Sequence, residues 1–437
     1  MRSYRHLVPL VYGVLLLAAI PAAAQRVTVV RAAQMLDVVS GRVVKNVVVV
    51  IEGDRIKSLG AAAVPADAET IDLGDLTLLP GFIDLHTHLA YDIEGDWVHR
   101  VVKEGPADAA LRAARNARRT LLAGFTTVRD TGSGSFVDVA LMRAIERGLL
   151  EGPRVIPAGH ALGITGGHCD VTGYAPGILE VGPEAGVADG RDEILQAVRY
   201  QIKHGAQVIK TCATAGVLSF EGPVGAQQYS EEELRVMVEE GRRHGVKVAA
   251  HAHGTEGIMA AVRAGVASIE HGSVLSDEAI QLMVEKGTYL VPTTYLADAI
   301  NLDVLPPPIR AKAEYILPIA KESLRRAIRA GVKIGFGTDA AVFPHGDNAK
   351  EFAALVERGM SPLAAIRSAT VNAVDLLGVD DRGVITPGRL ADLVGVAGNP
   401  LHDIRVLEDV RFVMKGGTVV KRPERPENIG QDKGLRR

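Results

Sequence analysis

The amino-acid sequence predicts an α/β protein: a (β/α)₈ TIM-like barrel with a small β-sandwich built from both termini. Three observations support this prediction. The middle of the chain alternates apolar strands with helical patterns, and both ends are rich in short β segments and turns. The composition is aliphatic, since 47% of the 437 residues are hydrophobic and only 4% are aromatic. Such a core suits helices packed on a parallel sheet better than an aromatic-rich sandwich.

The first 24 residues are predicted to be a signal peptide. Arg2 and Arg5 form a basic start, residues 7–20 are apolar, and residues 22–24 are alanines typical of a cleavage site. The apolar run is shorter than the roughly 20 residues that span a bilayer. We therefore expect export to the periplasm or beyond, with no stable membrane anchoring after cleavage. An uncleaved anchor is the alternative.

The two β-rich flanks predict the sandwich. Residues 25–80 contain short β segments joined by turns, and residues 381–422 have the same texture, with Lys415-Gly416-Gly417 as a hairpin signal. The tail 423–437 is charged and contains proline and glycine, so we expect it to be flexible.

Residues 81–380 predict the barrel, because they alternate strands and helices. A doubly wound open sheet is the alternative, but it does not explain why candidate ligands end so many different strands. The predicted strands are 81–88, 125–130, 154–158, 207–213, 246–252, 268–272, 289–293 and 333–339, and the helical patterns include 106–122, 192–204, 230–244, 255–264, 311–330 and 363–377.

Charge and cysteine content narrow the class of protein. A formal net charge of −3 gives no electrostatic footprint for nucleic acid and favours a small-molecule substrate.

Cys169 and Cys212 are the two cysteines. An exported protein can join them in a disulfide, but the favoured interpretation is a pair of buried free thiols, and the sequence leaves the pairing open.

A His-x-His pair begins the candidate site. Residues i and i+2 of a strand face the same way, so His86 and His88 present two imidazoles side by side. Taken singly, each candidate has an ordinary explanation, such as a helix N-cap for Asp339. Catalytic groups of a barrel, however, meet at the C-terminal ends of its strands. The other candidate metal ligands at predicted strand ends are Lys210, His251, His271 and Asp339.

With this pattern the chain resembles the amidohydrolase superfamily over nearly the whole mature sequence. The phrases Gly124-Phe125-Thr126-Thr127-Val128-Arg129-Asp130, Thr165-Gly166-Gly167-His168, Ala250-His251-Ala252-His253-Gly254 and Ile269-Glu270-His271-Gly272-Ser273 are similar to one branch. That branch contains prolidase-like dipeptidases, carboxypeptidases acting on N-acyl amino acids and ochratoxin-hydrolysing amidohydrolases. The resemblance implies a metal-dependent hydrolase that releases a C-terminal amino acid, with cleavage of ochratoxin A to ochratoxin alpha and phenylalanine. It also implies a homo-oligomer, often an octamer.

The alternative within the superfamily is a cyclic-amide hydrolase of the imidazolonepropionase or dihydropyrimidinase kind. A scaffold that has lost the chemistry is disfavoured, because all six ligand positions are filled.

The resemblance further implies two divalent ions, and a histidine- and oxygen-rich set without cysteine favours Zn²⁺. An ordinary lysine is cationic at neutral pH and cannot ligate a metal. Lys210 is therefore expected to bridge the two ions as a carbamate formed with CO₂. The expected ligands are His86, His88 and Asp339 for one ion, and His251 and His271 for the other.

Roles in catalysis and recognition complete the expectation. Asp339 is the predicted general base and proton donor. His168, in a glycine-rich loop, is predicted to reach the scissile carbonyl or its developing oxyanion. His253, Tyr295 and Arg129 are predicted to bind substrate, Arg129 by a bidentate contact with a carboxylate. Packing at the barrel rim is the alternative for all four of these recognition residues.

Overall fold

The computed structural model describes residues 27–60, 64, 68–93 and 95–423. The predicted signal peptide lies outside these ranges, as do residues 424–437 of the predicted flexible tail. Within the described ranges, no helix is both long enough and apolar enough to cross a membrane.

The strands divide into one mixed sheet and two parallel sheets. In chain order they are β1 (Val27–Leu36), β2 (Val43–Glu52), β3 (Arg55–Leu59), β4 (Glu69–Asp72), β5 (Thr77–Pro80), β6 (Phe82–Thr87), β7 (Phe125–Asp130), β8 (Arg154–Pro157), β9 (Val208–Cys212), β10 (Lys247–Ala252), β11 (Ser268–His271), β12 (Tyr289–Val291), β13 (Leu393–Val396), β14 (Val410–Lys415) and β15 (Thr418–Lys421).

Strands from both chain ends share the mixed sheet, whose order is β15-β14-β13-β5-β1-β2-β3, with β4 paired to β1. The two ends meet where β5 and β13 run antiparallel and Leu78 lies opposite Gly395. Leu78, Leu393 and Phe412 are fully buried in the core of this sheet. The sheet follows one hydrogen-bonded path, and its folding into a sandwich stays a prediction.

The hairpin between β14 and β15 has the turn that its sequence predicts. Lys415 lies opposite Thr418, and the two residues between them, Gly416 and Gly417, have φ values of 52° and 72°. A two-residue turn with positive φ at both positions matches the twist of the strands and favours glycine. The predicted hairpin is confirmed.

The middle of the chain forms two parallel sheets, β6-β7-β8 and β9-β10-β11-β12. Parallel bridges join their edges: Leu162 pairs with Thr211, Leu290 with Ile334, and Thr87 with Ala340. The eighth predicted strand, 333–339, is thus represented by isolated bridges at Ile334 and at Ala340, the residue after its predicted end. The α/β class is confirmed, and closure of the two sheets into a barrel stays a prediction.

Helices follow most of the parallel strands. Their apolar faces pack on the sheets in one large aliphatic core. They are α1 (Arg100–Lys103), α2 (Pro106–Leu122), α3 (Val137–Glu146), α4 (Gly190–His204), α5 (Glu231–Arg243), α6 (Thr255–Ala264), α7 (Asp277–Lys286), α8 (Leu296–Ala299), α9 (Pro307–Ala330), α10 (Lys350–Glu357), α11 (Pro362–Ser368) and α12 (Val371–Leu377).

Local sequence explains where these helices begin. At α5, the Ser230 hydroxyl accepts a hydrogen bond from the Glu233 amide at 3.2 Å, and the Glu233 carboxylate accepts one from the Ser230 amide at 2.9 Å. This reciprocal capping box satisfies two amides that the helix itself leaves unpaired. Pro106 and Pro362 occupy the first positions of α2 and α11, where the missing N–H costs nothing.

Cys169 and Cys212 form a disulfide, with Cα atoms 5.9 Å apart. The expectation of free thiols is therefore wrong. Cys212 ends β9, and Cys169 lies in the long loop after β8. The fold brings these two segments together where the Cys212 amide donates to the Leu162 carbonyl at 2.8 Å. The disulfide ties the loop that carries His168 to the strand that carries Lys210.

Replacing Cys169 with serine is expected to lower the free energy of unfolding by about 2–4 kcal/mol, because the disulfide closes a loop across a sequence separation of 43 residues. Urea unfolding monitored by circular dichroism measures this loss. A reductant should destabilise the parent to the same extent and leave the variant unchanged. Equal stability of the reduced and oxidised parent would contradict the prediction.

Candidate metal centre

All six predicted ligands line one cavity of about 800 Å³. It opens at the C-terminal ends of the parallel strands, where side chains from different strands converge. The convergence that the sequence predicts is therefore present. The six residues are His86, His88, Lys210, His251, His271 and Asp339.

His86, His88 and Asp339 form a compact group at the end of β6. The Asp339 Oδ1 atom lies 3.7 Å from His86 Nε2 and 3.6 Å from His88 Nε2. The potential ligand atoms of the three residues all lie within 4.8 Å of one another. Two imidazoles and one carboxylate at this separation fit a single divalent cation.

Backbone strain accompanies the group. Asp339 and His271 have φ values of 58° and 69°, in the left-handed region that L-residues other than glycine seldom occupy. The Asp339 amide donates to the His86 carbonyl at 2.7 Å, which holds the aspartate beside the strand of the His-x-His pair. Strain of this kind costs on the order of 1–3 kcal/mol and is concentrated at functional sites.

His251 and His271 extend the cluster. The His271 ring centroid lies 5.0 Å from that of His86 and 4.8 Å from that of His251. The Nε2 atom of His251 is buried and has no hydrogen-bond partner within the described part of the chain. A buried nitrogen left unpaired costs about 1–3 kcal/mol, and a bound cation would satisfy it. The donor set therefore fits a second ion beside the first.

Three of the candidate imidazoles are held through Nδ1, which leaves Nε2 available to a cation. Such outer hydrogen bonds fix the tautomer and orientation of a metal-binding histidine. The acceptors are the Glu270 carboxylate for His86 at 2.7 Å, the Gly132 carbonyl for His88 at 3.0 Å and the Thr293 hydroxyl for His271 at 2.8 Å.

Burial keeps these imidazoles in the form that can ligate. Desolvation lowers the pKa of His88 to about 3 and lowers the pKa values of His86, His251 and His271 well below their usual range. The rings are therefore neutral at physiological pH, which is the metal-binding state of histidine.

Lys210 is 3% exposed, and its Nζ lies 3.5 Å from His86 Nε2. Desolvation lowers the pKa of this amine to about 8, although the Glu270 and Asp339 carboxylates oppose the shift. Desolvation also raises the pKa of Asp339 to about 7, against the nearby Lys210 charge. Burial therefore disfavours the charged forms of both groups.

Glu270 is a functional residue that the sequence reasoning missed. It is fully buried in β11, accepts from His86 Nδ1 and pairs with the Arg129 guanidinium at 2.8 Å. An acidic residue inside a predicted buried strand, directly before a candidate ligand, was the available signal, since a buried carboxylate requires a partner.

The structure corrects the role predicted for Arg129. This residue is 2% exposed, and its guanidinium donates to the Ser268 hydroxyl at 3.1 Å as well as to Glu270. Its donors are therefore directed beneath the cluster and away from a substrate. Arg129 supports the metal ligands through Glu270.

His168 and His253 line the cavity next to the metal cluster. Their ring centroids lie 4.2 Å and 4.6 Å from that of His251. His168 Nδ1 contacts the Ser219 hydroxyl at 2.6 Å, and His253 Nδ1 contacts the Ser273 hydroxyl at 2.7 Å. The positions fit the predicted roles of both histidines, which remain predictions.

Tyr295 is turned toward the neighbouring loop. Its ring packs 5.0 Å from that of Phe343, and its amide donates to the Glu351 carboxylate at 2.7 Å. The adjacent Thr294 and Leu296 line the cavity. The structure thus does not bring the Tyr295 ring to the metal cluster, and a contact with substrate stays a prediction.

The part of the cavity away from the cluster is largely apolar. Loop and helix residues line it on both sides, and such a surface suits a hydrophobic group of the bound molecule. Members of this apolar wall include Leu179, Val181, Val217, Leu218, Ile300 and Leu317.

Comparison with known proteins gives a consistent result. The model of the Amidohydrolase family matches residues 77–420. Ochratoxinase from Aspergillus niger is 38% identical over 371 residues, which make up 79% of this chain and 76% of that protein. The resemblance found in the sequence motifs is confirmed.

Solved structures agree with the sequence comparison. A Xaa-Pro dipeptidase with methionine in its active site is 39% identical, with a TM-score of 0.85 over 90% of this chain and 99% of that one. A prolidase complexed with N-methylphosphonate-L-proline is 36% identical, with a TM-score of 0.84 over 91% and 100%. The ochratoxinase of A. niger superposes with a TM-score of 0.80 at 34% identity, over 92% and 97%.

Replacing Asp339 with asparagine is expected to stabilise the metal-free protein more at pH 8 than at pH 5. The folded-state pKa of about 7 lies above the unfolded value near 3.8, so the folded protein binds the extra proton between them. The parent therefore loses stability as the pH rises from about 4 to 7, and asparagine removes this loss.

Thermal unfolding of chelator-treated parent and variant at both pH values measures the difference, which we expect to reach a few degrees at pH 8. Added Zn²⁺ should stabilise the parent more than the variant, because the carboxylate binds the ion. A difference of the same size at pH 5 and pH 8 would refute the assignment.

Proposed function

The chain belongs to the amidohydrolase family, and on that premise we propose that it is a metal-dependent amide-bond hydrolase. It cleaves N-acyl amino acids or dipeptides and releases the C-terminal amino acid. We include ochratoxin A, cleaved to ochratoxin alpha and phenylalanine, among its substrates. The observation that carries the proposal is the convergence of four neutral histidines, an aspartate and a buried lysine on one cavity with an apolar wall.

We infer that the two parallel sheets close into a (β/α)₈ barrel through the segment 333–340. Three parallel bridges support this inference, because they join the sheet edges to each other and to that segment. Closure explains why ligands from β6, β9, β10 and β11 lie within reach of one another: the strands of a barrel direct their C-terminal ends to one mouth.

The proposed site holds two divalent ions, with Zn²⁺ as the first choice. When bound, the ions supply electrophilic activation of water and of the scissile carbonyl. The residues proposed to hold them are His86, His88 and Asp339 for one ion, His251 and His271 for the other, and carbamylated Lys210 for both.

Carbamylation of Lys210 follows from simple chemistry. The neutral amine attacks CO₂, an N–C bond forms, and one proton is released to solvent. The product is an anion with two oxygens, suited to bridging two cations. Burial favours this reaction, because a pKa of about 8 leaves far more neutral amine at pH 7 than an exposed lysine has.

Asp339 is the proposed proton carrier. Its carboxylate lies beside both histidines of the first group, and it lines the cavity in which water and substrate meet. It would accept a proton from the attacking water and return it to the leaving nitrogen. General acid–base catalysis requires such a group within hydrogen-bond reach of the proton that it transfers.

Two related proteins support the substrate class. One contains free methionine in its active site, and another binds a phosphonate joined to L-proline. Both ligands carry an amino-acid carboxylate, as the released product of our proposed reaction does. In this chain, His168 and His253 lie beside His251 in the cavity, and the apolar wall is available for the hydrophobic part of the substrate.

We also propose export through the signal peptide of residues 1–24 and assembly as a homo-oligomer, such as an octamer. We expect no nucleic-acid partner, because the net charge of −3 provides no basic surface in excess.

A substrate panel tests the reaction. The enzyme, purified with zinc and bicarbonate, is incubated with N-acyl-L-phenylalanines, Xaa-Pro dipeptides, ochratoxin A, hydantoin and imidazolonepropionate. We expect release of free amino acids from the first three. Replacing Asp339 with asparagine should lower kcat by about 10²- to 10⁴-fold while zinc is largely retained. Ring opening of the cyclic amides without amino-acid release would favour the alternative hydrolase class.

Metal stoichiometry tests the bridge. Replacing Lys210 with methionine should reduce bound zinc from two ions per chain to one, measured by inductively coupled plasma mass spectrometry. Lys415 is the matched control, because burial also lowers the pKa of this lysine to about 8. Its Nζ donates to the carbonyl of Gly152, a residue distant from it in sequence. Its methionine variant should retain both ions. Two tightly bound ions without Lys210 would exclude the bridging role.

A further inference from the structure

His168 contacts a second loop, to which the proposed reaction assigns no role. Its Nδ1 lies 2.6 Å from the Ser219 hydroxyl and 3.4 Å from Glu221 Oε1. Both partners belong to the loop after β9, whereas His168 lies in the loop after β8. The contact therefore crosses two loops at the cavity rim, next to the His251 ring.

Glu221 provides a lasting negative charge behind the imidazole. Burial alone would raise its pKa, but hydrogen bonds from His168, Ser219 and the Gly216 amide lower it to about 2. Its side chain is 6% exposed, and its Oε2 has no hydrogen-bond partner among the described residues. An ionised carboxylate can only accept hydrogen bonds, so its neighbours must donate to it.

This requirement fixes the protons of the group. The Glu221 carboxylate lies 3.4 Å from His168 Nδ1 and therefore favours a proton on this nitrogen, which the Ser219 hydroxyl at 2.6 Å can accept. A ring that carries its one proton on Nδ1 presents Nε2 as a hydrogen-bond acceptor, and His168 lines the cavity. The predicted contact with a developing oxyanion requires a proton on Nε2 instead, whereas an acceptor suits a substrate N–H.

Lys312 holds the second loop from outside. This residue of α9 donates from Nζ to the carbonyls of Glu221 at 2.6 Å, Ser219 at 3.0 Å and Gly216 at 3.4 Å. One ammonium group thus satisfies three backbone acceptors of a six-residue segment. The segment is fixed to a long helix rather than left free at the rim.

Gly216 closes the remaining side of the ring. A Cβ atom added there would lie between 2.1 and 2.4 Å from three atoms of the His168 imidazole. The backbone is therefore packed directly against the ring, which prevents the imidazole from turning toward this side.

We propose that Glu221 is a positioning residue that acts through His168, with Ser219 and Lys312 completing a clasp that aims His168 Nε2 at the substrate. The inference rests on the proposed hydrolase function, because it assumes that His168 contacts the substrate. Its consequence is specific: the Glu221 carboxylate contributes to turnover only while His168 is present.

A double-mutant cycle tests the proposal. The proteins compared are the parent, Glu221→Gln, His168→Gln and the double variant, with Glu314→Gln on α9 as control, since Glu314 is an exposed partner of Arg310. We expect Glu221→Gln to lower kcat/KM by about 10- to 100-fold with bound zinc unchanged. In the His168→Gln background the same change should have less than about a twofold effect. Losses that multiply in the double variant would overturn the proposal.

Two further measurements keep the outcome decisive. If Glu221→Gln fails to fold, Lys312→Met tests the same clasp with the carboxylate intact, and its loss should likewise vanish in the His168→Gln background. If the parent hydrolyses no member of the panel, the proposed function fails by itself. In that case, thermal unfolding of the same four proteins replaces the kinetic measurement. Changes in Tm at positions 168 and 221 that add in the double variant would refute the clasp.

Discussion

The fully buried carboxylate of Glu270 is the interaction on which the centre depends. It accepts from His86 Nδ1 and pairs with the Arg129 guanidinium, and thereby joins β11 to β6 and β7. A charge removed from water must be paired, and breaking such a pair costs about 3–5 kcal/mol. The same bond turns His86 Nε2 toward Asp339 and Lys210. The Glu270 side chain therefore both holds the three strands together and orients the imidazole of His86.

Around this pair, the fold assembles a candidate centre with features that are costly in the absence of a cation. Neutral imidazoles face one another, His251 Nε2 lacks a partner among the described residues, and Asp339 and His271 hold left-handed backbone angles. The unpaired nitrogen and the backbone strain each oppose folding by a small amount, and a cation bound here would satisfy the nitrogen. Burial also disfavours the charged forms of Lys210 and Asp339.

The loops over the centre are held by a disulfide and by side-chain hydrogen bonds, whereas the strands are held by backbone hydrogen bonds. The Cys169–Cys212 disulfide and the Lys312 contacts tie the loop after β8 to β9 and the loop after β9 to α9. Loops of such scaffolds carry specificity, and here they are fixed at several points. The loops over the candidate centre are therefore held in place by contacts with the strand and the helix beneath them.

The sequence by itself determined the α/β class, the hairpin at Gly416-Gly417 and the six candidate ligands that line one cavity, because strand alternation and residue chemistry are local and repeat along the chain. Only the tertiary structure decided which side chains meet behind those ligands. It paired the two cysteines, joined Arg129 to Glu270 beneath the site and placed Glu221 beside His168. Such contacts join residues distant in sequence, and they depend on loop paths and burial that no local pattern encodes.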